Sequence, residues 1–472
     1  MQMENRMCSK PGNSQTADPS EAQLTHAGGR LELLAAARKF RMKRVEQQTA
    51  LNHSARPKRS GLTVGVQRIR KAMRRRYARC LRKLGKNHQL SLALVDDPVE
   101  LGSSKSLARL ANRQTAFSSP LLFDQQLEII RQPALQTEVP DLQFLELNDV
   151  GVVGATMAVV REGKVLHPEL LHTKEIHDDK APDICRFADA GRKILTFNTY
   201  TRFGGRPRVK AGVHLLKEHS SNFYHWLFEC LPRLMYFSEN LNQAGQHEEF
   251  TVLIEDNILA QGLEAMRRVI NFPFQIETVR RGELVLCDKL FYVSPFWFSL
   301  DNSKHRVDPY RDYAVDKLAV EKIRDAFRPL MKSAPPTRKL YLPRAASQAR
   351  RIINAQAVED LMRENGFEII YPHHFSFAGQ VELFSSAKIV IGASGAAFSN
   401  MVFMQPGTKA VIFSPKQLDV FNYYIFQQQA DVAQVELMHL LAAPAKHDNF
   451  YVHDDFLVNC DDLQALIRRM TS

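Results

Sequence analysis

The sequence predicts an α/β protein, and three observations support this fold class. The first is a regular alternation of short apolar runs and amphipathic helices after residue 338. The second is a composition of 44% hydrophobic and 24% charged residues, which is typical of a globular chain. The third is the length, because 472 residues exceed one ordinary domain and suit two or three.

The alternation after residue 338 predicts a parallel, doubly wound sheet. Strands are expected at Lys339 to Leu342, Phe367 to Tyr371, Ala387 to Ile391 and Lys409 to Phe413, and helices at Ala355 to Asn365, Gln380 to Ser386 and Ala396 to Phe403. Strand–helix–strand repetition at this spacing favours parallel strands with helices on both faces. Ligands of such sheets bind at the carboxyl ends of the strands.

The segment before residue 331 has a less regular pattern. Apolar runs predict strands at Val152 to Val160, Lys193 to Phe197 and Phe250 to Ile254, with helices at Phe223 to Phe237 and Gly262 to Ile270. Prolines between residues 328 and 338 mark a boundary. We therefore expect one domain at 91–330 and a second at 331–472.

Positive charge is concentrated at the N-terminus. Residues 1–90 contain 21 Lys and Arg against 5 Asp and Glu, a net charge of +16, whereas the other 382 residues sum to −4 within the total of +12. Residues 1–60 have few periodic apolar positions, so we expect them to be largely disordered. Residues 61–90 are expected to contain a basic amphipathic helix, whose apolar stripe is Val66, Ile69, Ala72, Met73, Tyr77, Cys80, Leu81 and Leu84.

Three uses of the basic segment 66–84 stay open. It suits an anionic membrane surface, a nucleic acid or acidic partner, or packing on the body with a solvated basic face. Nucleic acid is the least favoured, since the body offers no second basic or aromatic surface. No apolar run reaches the ~18 residues of a membrane-spanning helix. The six cysteines are scattered without a Cys-x-x-Cys pair, which favours reduced thiols and a cytoplasmic chain.

A glycine-containing loop follows the predicted strand Ala387 to Ile391. Gly392 and Gly395 allow a tight turn and close approach to a ligand. A helix starting at Ala396 would direct its free N–H groups at that ligand, and a diphosphate suits this position. Further hydrogen bonds are expected from the polar side chains of Ser394, Ser399 and Asn400. The loop matches neither the Walker nor the dinucleotide-binding pattern.

A second segment, residues 220–233, places His225 and Glu229 four positions apart. If residues from 223 onward are helical, these side chains share one face. A carboxylate beside an imidazole fixes its tautomer and suits it to act as a general base. Asn222 or Ser221 is expected to cap the helix. The alternative is an ordinary amphipathic helix whose His–Glu pair is structural.

Arginines follow the strand Lys339 to Leu342 on the ligand side. Arg344, Arg350 and Arg351 could each grip a phosphate in bidentate fashion, although at least one of the last two is expected to be solvated. The sequence has no Asp-x-Asp element and no set of ligands with metal-site spacing, so no metal site is predicted.

Two blocks of the sequence resemble glycosyltransferase family 61, also described as DUF563 or capsular polysaccharide biosynthesis-like proteins. The first, Asn222-Phe-Tyr-His-Trp-Leu-Phe-Glu-Cys-Leu-Pro-Arg233, is similar to the family element Asn-aromatic-aromatic-His-x-x-x-(Asp/Glu)-x-x-Pro. The second lies within Lys339 to Pro415 and includes Leu340-Tyr-Leu-Pro-Arg344 and Val390-Ile-Gly-Ala-Ser-Gly-Ala-Ala-Phe-Ser-Asn400. Order and spacing match over roughly 195 residues.

The resemblance implies a GT-B architecture, in which two Rossmann-like domains face a cleft. It also implies inverting, metal-independent transfer from a UDP-sugar to a hydroxyl of a glycan or lipid-linked acceptor, with no cofactor beyond that co-substrate. By position, His225 or Glu229 is implied as the base or as an acceptor-site dyad. The implied nucleotide-sugar-binding residues are Arg344, Arg351, Gly392, Ser394, Gly395, Ala396, Ser399 and Asn400.

This chain departs from the family pattern at two positions. Ser394 stands where many members have His, and Gly379 where many have Glu. The alternative function is therefore a non-catalytic GT-B scaffold that the basic N-terminal helix recruits to a membrane. Because residues 1–20 do not read as a secretory signal, we expect a cytoplasmic enzyme of surface polysaccharide biosynthesis, peripheral on the inner membrane.

Overall fold

The computed structural model describes residues 86–102, 104–170, 183–189, 191–202, 205, 208–245, 249–299, 313–344, 350–416, 421–445 and 454–471. The chain divides into two compact units, residues 1–72 and 73–472, and every described residue belongs to the second. The predictions for residues 1–60 and for the basic helix at 66–84 lie outside the described residues.

Strands occur along the whole described part of the chain. Those before the first helix are β1 (Lys86–Val95), β2 (Ser104–Leu110), β3 (Arg113–Phe117), β4 (Leu121–Phe123), β5 (Ile129–Arg131), β6 (Leu135–Val139), β7 (Leu142–Val153), β8 (Val159–Arg161), β9 (Lys164–Leu166), β10 (Cys185–Asp189), β11 (Ile194–Thr201) and β12 (Val209–His214). The later strands are β13 (Phe250–Glu255), β14 (Phe274–Val279), β15 (Leu284–Val293), β16 (Trp297–Ser299), β17 (Tyr313–Val315), β18 (Arg338–Leu342), β19 (Glu368–Ile369), β20 (Ala387–Ala393), β21 (Lys409–Pro415), β22 (Glu436–Pro444) and β23 (Phe456–Leu457).

Helices follow β12 and then alternate with strands. The described α-helices are α1 (Phe223–His225), α2 (Leu231–Glu239), α3 (Ala260–Val269), α4 (Lys317–Phe327), α5 (Ala355–Glu364), α6 (Phe377–Ser385), α7 (Phe421–Tyr424), α8 (Gln427–Ala433) and α9 (Cys460–Thr471). A π-helical turn (Trp226–Cys230) joins α1 to α2. Shorter 3₁₀ helices are Pro98–Leu101, Gln125–Leu127, Pro168–Leu170, Leu241–Ala244, Arg328–Leu330 and Pro372–His374, and a longer one is Ala396–Phe403. In the described part of the chain, no helix is long and apolar enough to cross a membrane.

The C-terminal sheet is parallel and doubly wound, as the sequence predicted. Its strands run in the order β19-β18-β20-β21-β22, and each neighbouring pair is parallel. If β18 is counted as the first strand, the spatial order is 2-1-3-4-5. The direction in which successive strands are added to the sheet therefore reverses between β18 and β20. Strand β4 adds in parallel beside β22, with Leu122 opposite His439, and β5 pairs antiparallel with β4. The sequence pattern did not suggest that residues 121–131 would join this sheet.

Side chains of the parallel strands alternate between two apolar layers. Leu340, Val390 and Ile412 pack on the face covered by α6, α8 and the 3₁₀ helix Ala396–Phe403. Their chain neighbours Tyr341 and Ile391 pack on the opposite face, against α5 and α9. The period of two and the burial of both faces explain why these strands read as continuous apolar runs in the sequence.

The larger sheet is mixed. Strands β15, β12, β13 and β14 are parallel in that order, and β7 pairs antiparallel with β15. The α/β class is therefore confirmed. The prediction of one strand from Val152 to Val160 is wrong, because β7 ends at Val153 and β8 begins at Val159. A tight turn separates the two strands: a Cβ on Gly154 would lie 2.0 Å from the carbonyl oxygen of Arg280, so the backbones approach too closely for any other residue.

Candidate active site

The segment from α1 to α2 begins after the carboxyl end of β12 and is capped as predicted. The side chain of Asn222 accepts a hydrogen bond from the N–H of Tyr224 at 2.9 Å. In the π-helical turn that follows, the N–H of Leu231 bonds the carbonyl of Trp226. The indole of Trp226 donates to the carbonyl of Gly262 on α3 at 2.8 Å, which anchors the turn. Single π-helical turns inside α-helices occur frequently at functional sites.

His225 and Glu229 contact each other across this turn. The Nδ1 atom of His225 lies 2.7 Å from Oε1 of Glu229, so the predicted contact between positions i and i+4 is confirmed. The side chain of Glu229 is 4% exposed and that of His225 is 17% exposed. A carboxylate at this distance assigns the proton of the neutral imidazole to Nδ1, which leaves the ring lone pair at Nε2.

Lys217 completes this arrangement, and the sequence analysis missed it. Its Nζ lies 3.0 Å from Oε2 of Glu229, and its side chain is 9% exposed. The residue lies in the loop between β12 and α1. No local pattern marks it, and the only available signal was its position just after the carboxyl end of a parallel strand.

Glu229 is held ionised by its neighbours. Burial by itself raises the pKa of this carboxyl, but the charges of His225 and Lys217 and their hydrogen bonds outweigh burial and lower the pKa to about 2. A buried carboxylate is stable only when it is paired in this way.

Replacing Glu229 by glutamine is expected to reduce the free energy of unfolding at pH 7 by about 2–4 kcal/mol. The folded-state pKa of about 2 lies below the ordinary value of 4.5. The stability that Glu229 contributes is therefore present above about pH 4.5 and is lost as the pH falls towards 2. Urea unfolding of the wild type and Glu229→Gln at pH 7, 5, 4 and 3 should show the difference shrinking with acid. Glu364→Gln on the exposed face of α5 is the control, and a gap independent of pH would contradict the prediction.

A second layer of charges lies beside the His–Glu pair. The guanidinium of Arg281 donates to both oxygens of Glu218, at 2.6 and 2.7 Å, and to the carboxylate of Asp183. His219 adopts a left-handed backbone conformation with φ of 62°, and its ring centroid is 6.0 Å from that of His225. Burial would lower the pKa of Arg281, but the hydrogen bonds and charges of these two carboxylates raise it. The loop before α1 is thereby tied to the turn before β15.

The predicted loop from Gly392 to Asn400 lies at the end of β20, where the strand order of the C-terminal sheet reverses. Nη1 of Arg344, which follows β18, donates to the carbonyl of Ser394, which follows β20, at 2.7 Å. A Cβ on Gly395 would lie 2.7 Å from this nitrogen, so the glycine makes room for the guanidinium. Burial and the positive charge of Arg350 lower the pKa of Arg344 to about 9. Ligands of doubly wound sheets bind at such a reversal point.

Of the two adjacent arginines, Arg350 is the one near Arg344. Its backbone φ is 60°, burial lowers its pKa, and its buried Nε has no hydrogen-bond partner among the described residues. Arg351 forms an ion pair with the carboxylate of Asp455 instead. The side chains of Arg350 and Arg351 therefore lie in different environments although the two residues are consecutive in the sequence.

The predicted loop residues have different degrees of exposure. Ser394, Gly395 and Ala396 are partly accessible, whereas Gly392, Ser399 and Asn400 are buried. A Cβ on Gly392 would lie 2.6 Å from the carbonyl oxygen of Leu342, so this glycine permits close packing of β18 and β20. The amide of Asn400 donates to Oε1 of Gln380 at 2.9 Å. The helix after the loop is a 3₁₀ helix, not the α-helix expected.

The two predicted segments meet in one core. Helix α1 packs against the 3₁₀ helix Ala396–Phe403, and Trp226 and Phe398 belong to the same apolar cluster. The Tyr224 hydroxyl donates to the carbonyl of Ile425 at 3.1 Å. Glu264 on α3 accepts from the N–H groups of Phe377 and Ala378 at the start of α6, at 2.7 and 3.2 Å. The His225 pair and the Arg344 loop are thus parts of one packed unit.

Residues 223–411 match the family model described as Glycosyltransferase 61. The match spans 189 of the chain's 472 residues. The matched range begins at α1 and includes both the His225–Glu229 pair and the loop from Gly392 to Asn400, so the resemblance read from the sequence is confirmed. The protein is a glycosyltransferase, an enzyme that moves a sugar from a donor to an acceptor. No curated protein matches the chain.

The described residues of this glycosyltransferase include a candidate base, His225, and the guanidinium groups of Arg344 and Arg350 near the loop after β20. Lys217 lies before the matched range and Arg281 inside it. Among the residues that the structure describes, no three His, Cys, Asp or Glu side chains are grouped as metal ligands would be.

Proposed function

We propose that this glycosyltransferase transfers a sugar from a UDP-sugar to a glycan hydroxyl with inversion and without a metal ion. The observation that carries the proposal is the contact of 2.7 Å between His225 and Glu229, in a helical segment that packs against the 3₁₀ helix following β20. Inversion needs one direct displacement at the anomeric carbon, and therefore one base for the acceptor hydroxyl. The GT-B arrangement and the 91–330 and 331–472 domains are part of this proposal.

His225 acts as the base in this proposal. Glu229 holds the Nδ1 proton, so the Nε2 lone pair accepts the hydroxyl proton as the acceptor oxygen attacks the anomeric carbon. The bond from that carbon to the diphosphate oxygen breaks in the same step, and its electron pair leaves with UDP. Glu229 stabilises the imidazolium that forms, as the buried carboxylate does in a serine hydrolase triad.

Arg344 and Arg350 bind the leaving diphosphate in this proposal. The two guanidinium groups lie close enough for the charge of Arg350 to lower the pKa of Arg344. Two neighbouring, desolvated cations favour a dianionic ligand, and guanidinium groups bind phosphate oxygens in bidentate fashion. Together with the N–H groups of Gly395 and Ala396, they supply the charge stabilisation that a metal ion provides in other transferases.

A thermal-shift screen against UDP-, GDP-, CMP- and dTDP-sugars, with and without EDTA, tests the donor. A ligand present at 100 times its Kd stabilises the folded state by about 2.7 kcal/mol. We expect a UDP-sugar to raise the melting temperature equally with and without EDTA, and Arg344→Ala to abolish the shift. Arg338→Ala, which removes an ion pair with Glu368 at the start of the same strand, is the matched control. No shift with any UDP-sugar, or a shift that EDTA removes, would contradict the proposal.

Inversion is tested separately, by determining the anomeric configuration of the product by NMR.

Replacing Gly395 by alanine is expected to weaken UDP binding at least tenfold while the protein remains folded. The added Cβ would lie 2.7 Å from Nη1 of Arg344 and displace the guanidinium. The backbone of Gly395 is extended, with φ of 172°, so alanine introduces no backbone strain. Isothermal titration with UDP measures the change. Gly191→Ala, whose nearest neighbour would be Oδ1 of Asp189 at 3.4 Å, is the control; equal affinity in the two variants would count against the site.

We also propose that the acceptor is lipid-linked and that the enzyme works at the cytoplasmic face of the inner membrane, in surface polysaccharide biosynthesis. The support is the net charge of +16 in residues 1–90 and the apolar stripe of the segment 66–84. Each basic residue near an anionic surface adds about 1 kcal/mol of attraction. Liposomes with anionic lipid should retain the full chain. A version without residues 1–88 should be retained by these liposomes no better than by neutral ones. Equal retention of both proteins would refute membrane attachment through this segment.

A further inference from the structure

The two oxygens of Glu229 have different partners. Oε1 lies 2.7 Å from Nδ1 of His225, and Oε2 lies 3.0 Å from Nζ of Lys217. The side chains of Glu229 and Lys217 are 4% and 9% exposed, so solvent screens their interaction weakly. One carboxylate therefore joins a lysine on the loop after β12 to the histidine of α1.

Other titratable and charged groups lie on the elements packed around the Lys217–Glu229–His225 chain. The loop after β12 contributes Glu218 and His219, the helical segment contributes Cys230 and Arg233, β13 ends with Glu255, and the turn before β15 contributes Arg281. The guanidinium of Arg281 donates hydrogen bonds to the carboxylates of Glu218 and Asp183. Burial first of all raises the pKa of Glu255 well above its ordinary value, which favours its neutral form. The guanidinium of Arg233 donates to His214 and to Val293.

Among the described residues, Lys217 is the lysine or arginine that directly contacts Glu229. With Lys217 present, the Lys217–Glu229 pair carries no net charge, so it attracts a proton to His225 less strongly than an unpaired carboxylate would. Without that cation, the buried carboxylate would attract a proton, either to itself or to His225. Both routes raise the pH at which the coupled pair takes up a proton.

We propose that Lys217 is a positioning residue of the catalytic base: it fixes the carboxylate of Glu229 against His225 and offsets the negative charge of that carboxylate, so that the imidazole takes up a proton only at lower pH than it would without the lysine. This inference rests on the proposed role of His225. Nothing in the local sequence assigns a role to Lys217, and the assignment comes from the geometry of the buried Lys217–Glu229–His225 chain.

The direct test is an NMR titration of the histidine rings in the full-length protein, with His225 assigned by comparison with His225→Gln. In Lys217→Met we expect the midpoint of the His225 titration to rise by about one to two pH units, because a unit positive charge is removed from a poorly screened site. Lys217→Arg keeps the charge and should restore the wild-type midpoint. Lys289→Met, which removes a half-buried lysine from an ion pair of 3.2 Å with Glu146, should leave it unchanged.

A second readout separates this inference from the proposed function. The pH dependence of UDP release is measured with the UDP-sugar that gives the largest thermal shift. If Lys217 and His225 act as proposed, the acid limb moves to higher pH in Lys217→Met by the same amount as the NMR midpoint. If the NMR midpoint moves and the acid limb does not, the base is not His225, while the electrostatic role of Lys217 stands. If the NMR midpoint stays within about 0.3 units in a folded Lys217→Met, or if Lys217→Arg behaves like Lys217→Met, the inference is wrong.

Discussion

Replacing His225 by glutamine is expected to lower kcat by about 10²–10⁴-fold, which is the usual contribution of a general base. Glutamine can still bond to Glu229, but it cannot take the proton of the acceptor hydroxyl. Binding of UDP should not change, because Arg344 and Arg350 are untouched. Rates of sugar transfer at saturating donor, together with UDP affinity, measure the two effects separately.

The control for this substitution is His88→Gln on β1. The ring of His88 lies 3.2 Å from the hydroxyl of Thr201 and takes no part in the proposed reaction. We expect its kcat to stay within about twofold of the wild type. A His225→Gln enzyme that keeps more than a tenth of wild-type kcat would remove the base assignment and turn attention to His219, the neighbouring ring.

Replacing Arg233 by methionine is expected to lower the free energy of unfolding by about 3–5 kcal/mol. The side chain is 1% exposed. Its guanidinium donates to the carbonyls of Val293 and His214 at 2.9 and 2.8 Å, and to Nδ1 of His214 at 2.8 Å. Burial and the charge of Arg233 lower the pKa of His214 well below its ordinary value, so the imidazole is neutral and can accept this bond. Methionine fills the space but leaves these buried acceptors without their donor.

Urea unfolding at pH 7 measures the loss. Arg328→Met is the control, since the side chain of Arg328 is 65% exposed and, among the described residues, forms an ion pair with the nearby Asp325; a change below about 0.5 kcal/mol is expected there. If the free energy of unfolding of Arg233→Met lies within about 1 kcal/mol of the wild-type value, the buried guanidinium is not a major source of stability.

The local pattern of apolar residues in the sequence was sufficient to predict the C-terminal sheet. The strands there are short apolar runs, and the helices between them have one apolar face, so the two periods alternate visibly along the chain. Leu340 and Tyr341 show the reason at single-residue level: neighbouring side chains enter opposite, equally buried layers. The same approach failed at Val152 to Val160, where a mostly apolar run hides a turn at Gly154.

Pairing between distant segments was not predictable. Leu122 lies opposite His439, more than 300 residues later in the chain, and no local property of β4 identifies its partner. Loop closure over such a distance costs little more than over a short one, so chain length does not forbid the pairing. The contact becomes visible only when both elements are folded.

The sequence by itself determined the α/β class, the parallel C-terminal sheet, a helix cap at Asn222 or Ser221 and the His225–Glu229 contact, because each depends on residues within a few positions of one another. The tertiary structure alone decided that Lys217 contacts Glu229, and that Arg350 lies near Arg344 while Arg351 pairs with Asp455. These outcomes depend on where loops from different strands meet. Side chains on a loop have no fixed period, so their direction is set by the elements that pack around them.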